Sequence, residues 1–265
     1  MKKSKYLAVL LAAGIFTTFA MGSGSSTPSS TTTVNVESSS ATNETGSEET
    51  AEPEKPAEDE IQYEITDTNF EYYTNSIGRV EYYGYVEITN TGNCNLYLSK
   101  AIFDLEDNDG HLLQSDDFIS NAPSVIKPGE KGYFYNGLGS NLIDESVSTD
   151  NGINLVPQIT VKKATGEPTR YEVTDTDIKE GSLGAPTVTG RLVNDTSEEI
   201  GYIYINVIFY DANGKVLAIT GTSLSEIPAN GKQSFECSSV FGNDNVKVSD
   251  IANYEVIAED TYMQF

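Results

Sequence analysis

The fold is decided by residues 202–219, which read Tyr-Ile-Tyr-Ile-Asn-Val-Ile-Phe-Tyr-Asp-Ala-Asn-Gly-Lys-Val-Leu-Ala-Ile. From position 203 to position 209 every second residue is Ile, Val or Phe, and this period of two predicts a β-strand with one buried face. Ile208 interrupts the more polar face, so we expect that face to be partly covered as well. The Asn213-Gly214 pair then predicts a hairpin with a type I′ turn, which needs positive φ at both central residues.

A related stretch occurs earlier in the chain, and the two stretches belong to a long internal repeat. Residues 63–68, Tyr-Glu-Ile-Thr-Asp-Thr, return as Tyr-Glu-Val-Thr-Asp-Thr at 171–176. Further matched residues follow in the same order in both copies: Asn90 with Asn194, Asp107 with Asp211, Gly110 with Gly214, Leu113 with Leu217, Ile126 with Ile227, Lys131 with Lys232 and Phe134 with Phe235. A repeat of about 100 residues has the length of a typical domain, so each copy can bury its own core.

Short strand-like runs separated by turns recur in both copies, whereas helical spacing is nearly absent. The glycine-containing hairpin turn and a second turn, over 127–131 and 228–232, each lead into a new strand-like run. About seven short strands per copy indicate an immunoglobulin-like β-sandwich. The sequence therefore predicts an all-β protein with two tandem immunoglobulin-like β-sandwich domains, over 61–166 and 168–265.

The first 60 residues combine the features of an export signal with a low-complexity tract. Three lysines precede an apolar run over 7–19, and small residues follow, so we predict a signal peptide over 1–22. An uncleaved membrane anchor is the alternative. Residues 23–60 carry nine acidic residues against one lysine and almost no large apolar side chains, which predicts a disordered acidic stalk. We therefore expect an exported protein that is extracellular or associated with the cell surface.

The whole chain carries a formal net charge of −24 at pH 7. Proteins that bind nucleic acid or anionic membrane surfaces use basic patches, so we expect neither of these partners. We interpret the acidity as a solubilising surface on an exported protein, and we expect a monomer.

The two cysteines, Cys94 and Cys237, fall one in each copy at positions that do not correspond. A disulfide within either predicted domain is therefore impossible. A disulfide between the domains stays open, because it requires two particular surfaces to meet.

Residues in the strand before each hairpin resemble a known family, the FxLYD-type domain of exported bacterial envelope proteins, whose name stands for Phe-x-Leu-Tyr-Asp. The first copy reads Phe-Asp-Leu-Glu-Asp over 103–107 and departs only at Glu106. The second copy reads Val-Ile-Phe-Tyr-Asp over 207–211 and departs at its two apolar positions. The resemblance covers both copies and implies a β-sandwich on or outside the cell envelope. It implies no catalytic residue, because none defines the family.

The chain offers few residues for catalysis. A nucleophilic triad needs a general base, usually His, and the chain's one histidine, His111, directly follows the turn glycine Gly110, where an exposed side chain is expected. Ser124 and Lys127 match a Ser-x-x-Lys spacing, but Pro128 removes the helical geometry that such a pair needs. We therefore predict that the protein is not an enzyme and that it uses no cofactor.

The sequence Asp107-Asn108-Asp109-Gly110 looks like the middle of a calcium-binding EF-hand loop. With Gly110 in the place of the invariant glycine, Leu105 occupies the position of the first ligand, and its side chain has no oxygen to offer. The hairpin interpretation explains the same residues. We therefore predict no metal site.

Two tyrosines of the first copy are candidates for a binding surface. In the run from Val80 to Ile88 the even positions are the more apolar and should face the core, which leaves Tyr83 and Tyr85 pointing outward between acidic residues. Exposed rings with few rotatable bonds suit a binding surface, although tyrosine is also common in strands for reasons of packing alone.

We therefore expect a non-catalytic exported cell-surface or secreted protein that acts as an interaction or spacer module. Its partner would be an extracellular protein or a cell-wall glycan. The alternative is a wall-polymer-directed enzyme or a carbohydrate-binding accessory protein. Binding tests on cell-wall material and glycans would separate these two interpretations.

Overall fold

The computed structural model describes five stretches of the chain, residues 59–74, 78–136, 142–181, 184–238 and 246–260. The predicted signal peptide, 1–22, and the predicted stalk as far as residue 58 lie outside the described residues. The last two stalk residues contact the folded part: Glu60 donates its backbone N–H to Asn93 Oδ1 at 2.7 Å, and Asp59 forms an ion pair with Lys163. No helix among the described residues has the length and apolar character needed to cross a membrane.

Most of the described residues lie in antiparallel strands, and no α-helix occurs among them, so the predicted all-β class is confirmed. The N-terminal half contains β1 (Tyr63–Thr74), β2 (Val80–Asn90), β3 (Leu96–Glu106), β4 (Leu112–Asp116), β5 (Ile119–Ala122), β6 (Val125–Ile126), β7 (Lys131–Asn136) and β8 (Asn154–Lys163). The C-terminal half contains β9 (Val173–Glu180), β10 (Pro186–Asn194), β11 (Ile200–Tyr210), β12 (Val216–Ile227), β13 (Gly231–Ser238) and β14 (Asn253–Asp260), with a 3-10 turn at Val248–Asp250.

Each half consists of two sheets, an arrangement consistent with a β-sandwich. In the N-terminal half one sheet has the order β1-β2-β7-β5, and in the other β3 lies between β8 on one side and β4 and β6 on the other. In the C-terminal half the orders are β9-β10-β13 and β12-β11-β14. By the matched residues of the repeat, β9, β10 and β13 correspond to β1, β2 and β7 of the N-terminal half. The β11–β12 hairpin corresponds to the β3–β4 hairpin. Residues 59–265 group into one compact unit.

The core of the N-terminal half confirms the predicted faces of β2. Tyr82, Val86 and Ile88 are fully buried in one cluster with side chains of β3 such as Leu98 and Phe103. The even positions of β2 therefore point between the two sheets, as a period of two requires. In the C-terminal half the odd positions 203 to 209 of β11 are likewise fully buried.

The β3–β4 and β11–β12 hairpins have the same turn in both halves. Gly110 has a φ of 81° and donates its N–H to Asp107 O at 3.1 Å, and Gly214 has a φ of 79° and donates to Asp211 O at 3.1 Å. Positive φ at both glycines is confirmed. The type I′ assignment is wrong, because Asn213 is not among the described residues with positive φ. Both strand pairs shift register beside the turn, as in a type I turn followed by a glycine bulge.

The aspartate that begins each turn holds it closed. Asp107 Oδ1 accepts hydrogen bonds from the backbone N–H groups two and four positions later, each at 2.9 Å, and Asp211 Oδ1 accepts the equivalent pair at 2.8 and 2.9 Å. The bond from the N–H four positions later is the largest cause that holds the pKa of each carboxyl below its usual range. An Asp at this position therefore satisfies turn donors in both copies.

Replacing Gly110 or Gly214 with valine is expected to lower the free energy of unfolding by about 1–2 kcal/mol or more, because a β-branched residue disfavours positive φ. Nothing lies within 4 Å of a Cβ built on either glycine, so the backbone conformation alone causes the loss. Gly201→Val is the matched control, since Gly201 also faces open space but lacks positive φ. Urea denaturation measures the changes, and equal losses at Gly201 and Gly214 would contradict this explanation.

A buried asparagine at the end of the second strand joins two turns in each half. Asn90 Nδ2 donates to the carbonyl oxygens of Cys94 and Ile126 at 2.9 and 3.1 Å. Asn194 Nδ2 donates to the carbonyl four residues later at 2.9 Å and to that of the matched Ile227 at 3.2 Å. Each side-chain oxygen accepts the backbone N–H two residues later at 3.0 Å. The repeated asparagines of the sequence thus have the same structural role.

Candidate functional site

The predicted binding tyrosines, Tyr83 and Tyr85, point away from the core of the N-terminal half, but they are not exposed. Their exposed fractions are 3% and 0%. Both rings belong to a second buried cluster, which is formed mostly by residues of the C-terminal half. The prediction that they form an exposed binding surface is therefore wrong, because the other half of the same chain covers that face of β2.

The hydroxyls of both tyrosines bond to the backbone of β12. Tyr83 Oη accepts the N–H of Ile219 at 2.6 Å. Tyr85 Oη lies 2.7 Å from Asp67 Oδ2 and 3.2 Å from Val216 O, and it can donate to either acceptor. These contacts join β2 of the N-terminal half to the backbone of β12 in the C-terminal half.

Two tyrosines of β7, Tyr133 and Tyr135, extend the contact between the halves. We call Tyr83, Tyr85, Tyr133 and Tyr135 together the tyrosine seam. Tyr135 Oη donates to Asn206 Oδ1 at 2.7 Å, and the hydroxyls of Tyr133 and Tyr210 lie 3.5 Å apart. Burial raises the pKa of all four hydroxyls of the seam. They therefore stay protonated at physiological pH, and the contact does not depend on tyrosine ionisation.

The surface that receives the seam is the outer face of β11 and β12. Asn206 is 5% exposed and Ile208 is fully buried, so the expectation that this face of β11 is partly covered is confirmed. A Cβ at Gly221 would lie 3.0 Å from Tyr135 Oη, so a glycine on β12 leaves room for that hydroxyl. Asn206 and Ile208, on the more polar face of β11, are thus buried where the N-terminal half covers that face.

One carboxyl group is buried between the two halves. Glu259 on β14 is 3% exposed, and its Oε1 accepts the backbone N–H of Ser124 at 2.7 Å. Among the described atoms, Glu259 Oε2 and Ser124 Oγ have no hydrogen-bond partner. Burial raises the pKa of Glu259, and the hydrogen bond from the Ser124 backbone N–H and the charge of Arg170 oppose this rise. The ionised form of this carboxyl therefore weakens the folded state.

Glu259→Gln is expected to make the protein more stable than the wild type at pH 7, with the difference shrinking as the pH falls. The pKa of Glu259 is raised on folding, so its contribution is most favourable below the ordinary glutamate pKa of about 4.3 and is lost as the pH rises through the raised value. Gln keeps an acceptor for the Ser124 N–H but carries no charge. Urea denaturation of both proteins from pH 4 to pH 8 measures the difference. A variant that is less stable than the wild type by the same amount at every pH would contradict the predicted stabilisation.

Asp107, Asp109 and His111 are the described residues that come nearest to a metal-binding group, with ligand atoms within 4.8 Å of one another. Asp107 Oδ1 already accepts two backbone N–H groups. Asn151 Nδ2 lies 3.2 Å from Asp107 Oδ2 and 2.9 Å from Asp109 Oδ2. Hydrogen bonds therefore stabilise this turn without a cation. The absence of a metal site stays a prediction.

The melting temperature is expected to be the same in EDTA and in millimolar calcium, because the turn lacks a first ligand and its aspartates already have partners. A site with free calcium at about 100 times its Kd would add about 2.7 kcal/mol, a difference that melting curves resolve. Asp109→Asn is the control, since it removes one carboxylate from the exposed turn. A calcium-dependent rise that this variant abolishes would reverse the prediction.

The structure does not assemble the other candidate catalytic residues into a pair. The His111 side chain is 76% exposed and its Nδ1 lies 3.0 Å from the turn aspartate. Lys127 forms an ion pair with Glu167 at 2.9 Å, whereas Ser124 Oγ has no hydrogen-bond partner among the described atoms. The Ser-x-x-Lys spacing therefore does not correspond to a nucleophile and its base.

Both cysteines are free thiols in the structure. Cys94 and Cys237 are buried, and burial raises the pKa of Cys237 to about 12. Burial is also the main cause that raises the pKa of Cys94. The thiolate, which is the reactive form, is therefore disfavoured at both positions.

Sequence reasoning missed an exposed aromatic pair in the C-terminal half. Tyr202 and Tyr204 on β11 are 43% and 47% exposed, and their ring centroids lie 5.0 Å apart. Their alternation with Ile203 and Ile205 was the available signal, since it places both rings on the face opposite the core. The sequence does not show where along β11 the covered part of this face ends.

No protein-family model and no curated protein matches the chain. The resemblance to the FxLYD-type domain stays a prediction, carried by residues 103–107 and 207–211. Function is therefore inferred from the fold and from the contacts of the described residues.

Proposed function

We propose that this chain is a non-catalytic exported protein, at the cell surface or secreted, in which two tandem immunoglobulin-like β-sandwich domains of FxLYD type act as an interaction or spacer module. The repeated hairpins and the repeated buried asparagines, Asn90 and Asn194, support two copies of one structural unit. The acidic N-terminal tract and the apolar run before it support export.

The tyrosine seam is the observation that carries the proposal. A spacer must hold its two ends at a fixed distance, and two modules joined only by a linker move relative to each other by default. Four buried rings and their hydrogen bonds to β11 and β12 oppose such motion, because separating the halves would expose apolar area and leave polar groups unpaired. The seam buries Tyr83 and Tyr85, the residues predicted to bind a partner, which favours a structural role in positioning the two halves.

A distance measurement across the two halves tests the spacer role. Cysteines introduced at the exposed positions Leu112 and Ser225 can carry spin labels, while the buried Cys94 and Cys237 react slowly. We expect one narrow distance distribution for the full chain. Tyr83→Ala in the same labelled protein should broaden it. A distribution that is already broad in the labelled protein with an intact seam would contradict a spacer.

Binding and activity assays separate this proposal from the alternative of a wall-polymer enzyme or a carbohydrate-binding accessory protein. The full chain is incubated with purified cell walls and with neutral glycans, and released sugar is measured. We expect no released sugar. Release of soluble fragments by the wild type would favour the enzyme, and saturable binding to a neutral glycan without release would favour the accessory protein.

A further inference from the structure

The outer face of β11 carries an aromatic pair where the tyrosine seam ends. The rings of Tyr202 and Tyr204 meet edge to face at an interplanar angle of 78°. Asn206 and Ile208 on the same face are buried, so the exposed rings directly adjoin the covered part of the strand. Exposed tyrosine rings that lie side by side suit an interaction surface, because each ring combines apolar area with a polar hydroxyl.

An open concavity of about 500 Å³ lies beside these rings, at the edge of the C-terminal half. Tyr171 and Tyr202 provide aromatic surface on its wall. Glu198, Glu199 and Asp260 provide three carboxyl groups. The concavity therefore combines aromatic rings with negative charge.

The carboxyl groups of the concavity form no ion pair within the part of the chain that the structure describes, and Asp260 Oδ1 accepts the backbone N–H of Thr169 at 2.8 Å. No lysine or arginine lines the concavity, and none of the ion pairs between described residues includes Glu198, Glu199 or Asp260. An anionic polymer would be repelled by these groups. A cation would be attracted both by the carboxylates and by the negative face of a tyrosine ring.

Arginine is the cation whose geometry fits both features. Its planar guanidinium stacks on aromatic faces and bonds to carboxylates through two parallel N–H groups. A lysine ammonium would gain the charge attraction but could not stack. A neutral sugar prefers a flat ring platform, whereas the edge-to-face pair of Tyr202 and Tyr204 offers no continuous flat surface.

We propose that the concavity beside Tyr202 and Tyr204 binds an arginine side chain of a peptide or protein partner. This inference rests on the interaction role proposed above and names the chemistry of the partner. The spacer role does not depend on it.

Calorimetric titration of the full chain with a short peptide of alternating glycine and arginine tests the proposal, with the matched glycine–glutamine peptide and an N-acetylglucosamine oligomer as comparison ligands. The double variant Tyr202→Ser, Tyr204→Ser is expected to bind the arginine peptide about tenfold more weakly. Tyr202→Phe with Tyr204→Phe should keep the affinity, because the ring faces remain. Tyr72→Ser, at a tyrosine of the N-terminal half that is 41% exposed, should leave it unchanged.

None of these substitutions changes the net charge, so a general attraction between an acidic protein and a basic peptide is the same in every variant. Equal affinity of the wild type and the serine double variant would overturn the proposal, as would no binding of the arginine peptide. Binding of the sugar oligomer that the serine variant loses would assign the site to a neutral glycan instead. If the serine variant melts early, Glu199→Gln replaces it and should weaken the arginine peptide more than Glu64→Gln does, because Glu64→Gln removes the same charge from an exposed position of the N-terminal half. If the arginine peptide does not bind but the distance distribution across the seam is narrow, the arginine site is wrong and the proposed spacer function is still supported.

Discussion

Replacing Tyr83 with alanine is expected to lower the free energy of unfolding by about 3–5 kcal/mol, the range found for truncating a large buried aromatic side chain. Tyr83 is 3% exposed, and its hydroxyl is the acceptor for the backbone N–H of Ile219. The variant loses the packing of the ring and leaves that N–H without its partner in a buried position. Urea denaturation monitored by circular dichroism measures the change.

Two further variants separate the causes of this loss. Tyr83→Phe keeps the ring and removes the hydroxyl, so it should cost about 1–3 kcal/mol for the unpaired N–H alone. Tyr72→Ala removes a ring that is 41% exposed and should cost less than about 1 kcal/mol. A Tyr83→Ala variant as stable as Tyr72→Ala would mean that the two halves do not stabilise each other. Unfolding of the variant in two separate transitions would instead show that the seam couples otherwise independent units.

Asn90→Ala and Asn194→Ala are each expected to lower the free energy of unfolding by about 3 kcal/mol. Each asparagine is 1% exposed and joins two turns through at least three hydrogen bonds. Alanine leaves carbonyl groups and an N–H without partners, and a buried unpaired group costs about 1–3 kcal/mol. Urea denaturation measures both losses.

The repeat makes the asparagine prediction sharper. Both side chains bond to corresponding carbonyl and N–H groups, and Asn194 also donates to Pro228 O at 3.0 Å and accepts from Thr196 Oγ1 at 2.7 Å. Both variants should therefore lose stability, with the loss at Asn194 at least as large as the loss at Asn90. Asn213→Ala is the control, because the side chain of this exposed turn residue makes one long hydrogen bond, from Nδ2 to Asp211 Oδ2 at 3.4 Å. This variant should change the free energy of unfolding by less than about 0.5 kcal/mol. A loss at only one of the two buried asparagines would contradict their equivalence.

The hairpin turns show how far local sequence rules reach. The Asp-x-x-Gly pattern correctly predicted glycines with positive φ, because that conformation is costly for other residues and is set by the turn itself. The same pattern led to the wrong turn type. Two-residue and three-residue hairpin loops can have similar sequences. They differ in the register of the flanking strands, and that register involves residues beyond the turn.

Tyr83 and Tyr85 show where local rules fail. Alternation along β2 correctly placed both rings on the face opposite the core of the N-terminal half. Their burial depends on Ile219 and Val216, which lie 136 and 131 residues away in the chain. A period of two states which side chains share a face, but it contains no information on what packs against that face. For the same reason the exposed pair on β11 could not be distinguished from its buried neighbours.

The sequence by itself determined the all-β class, the faces of β2 and β11, the two glycine turns and the correspondence between the two copies. These features depend on backbone sterics and on the periodicity of side chains along a strand, which act over a few residues. Only the tertiary structure decided that the tyrosines of β2 and β7 are buried, that Glu259 lies between the halves, and that Tyr202 and Tyr204 stay exposed. Those outcomes depend on which distant surfaces meet, and the apolar area and hydrogen bonds that select such a contact come from residues far apart in the chain.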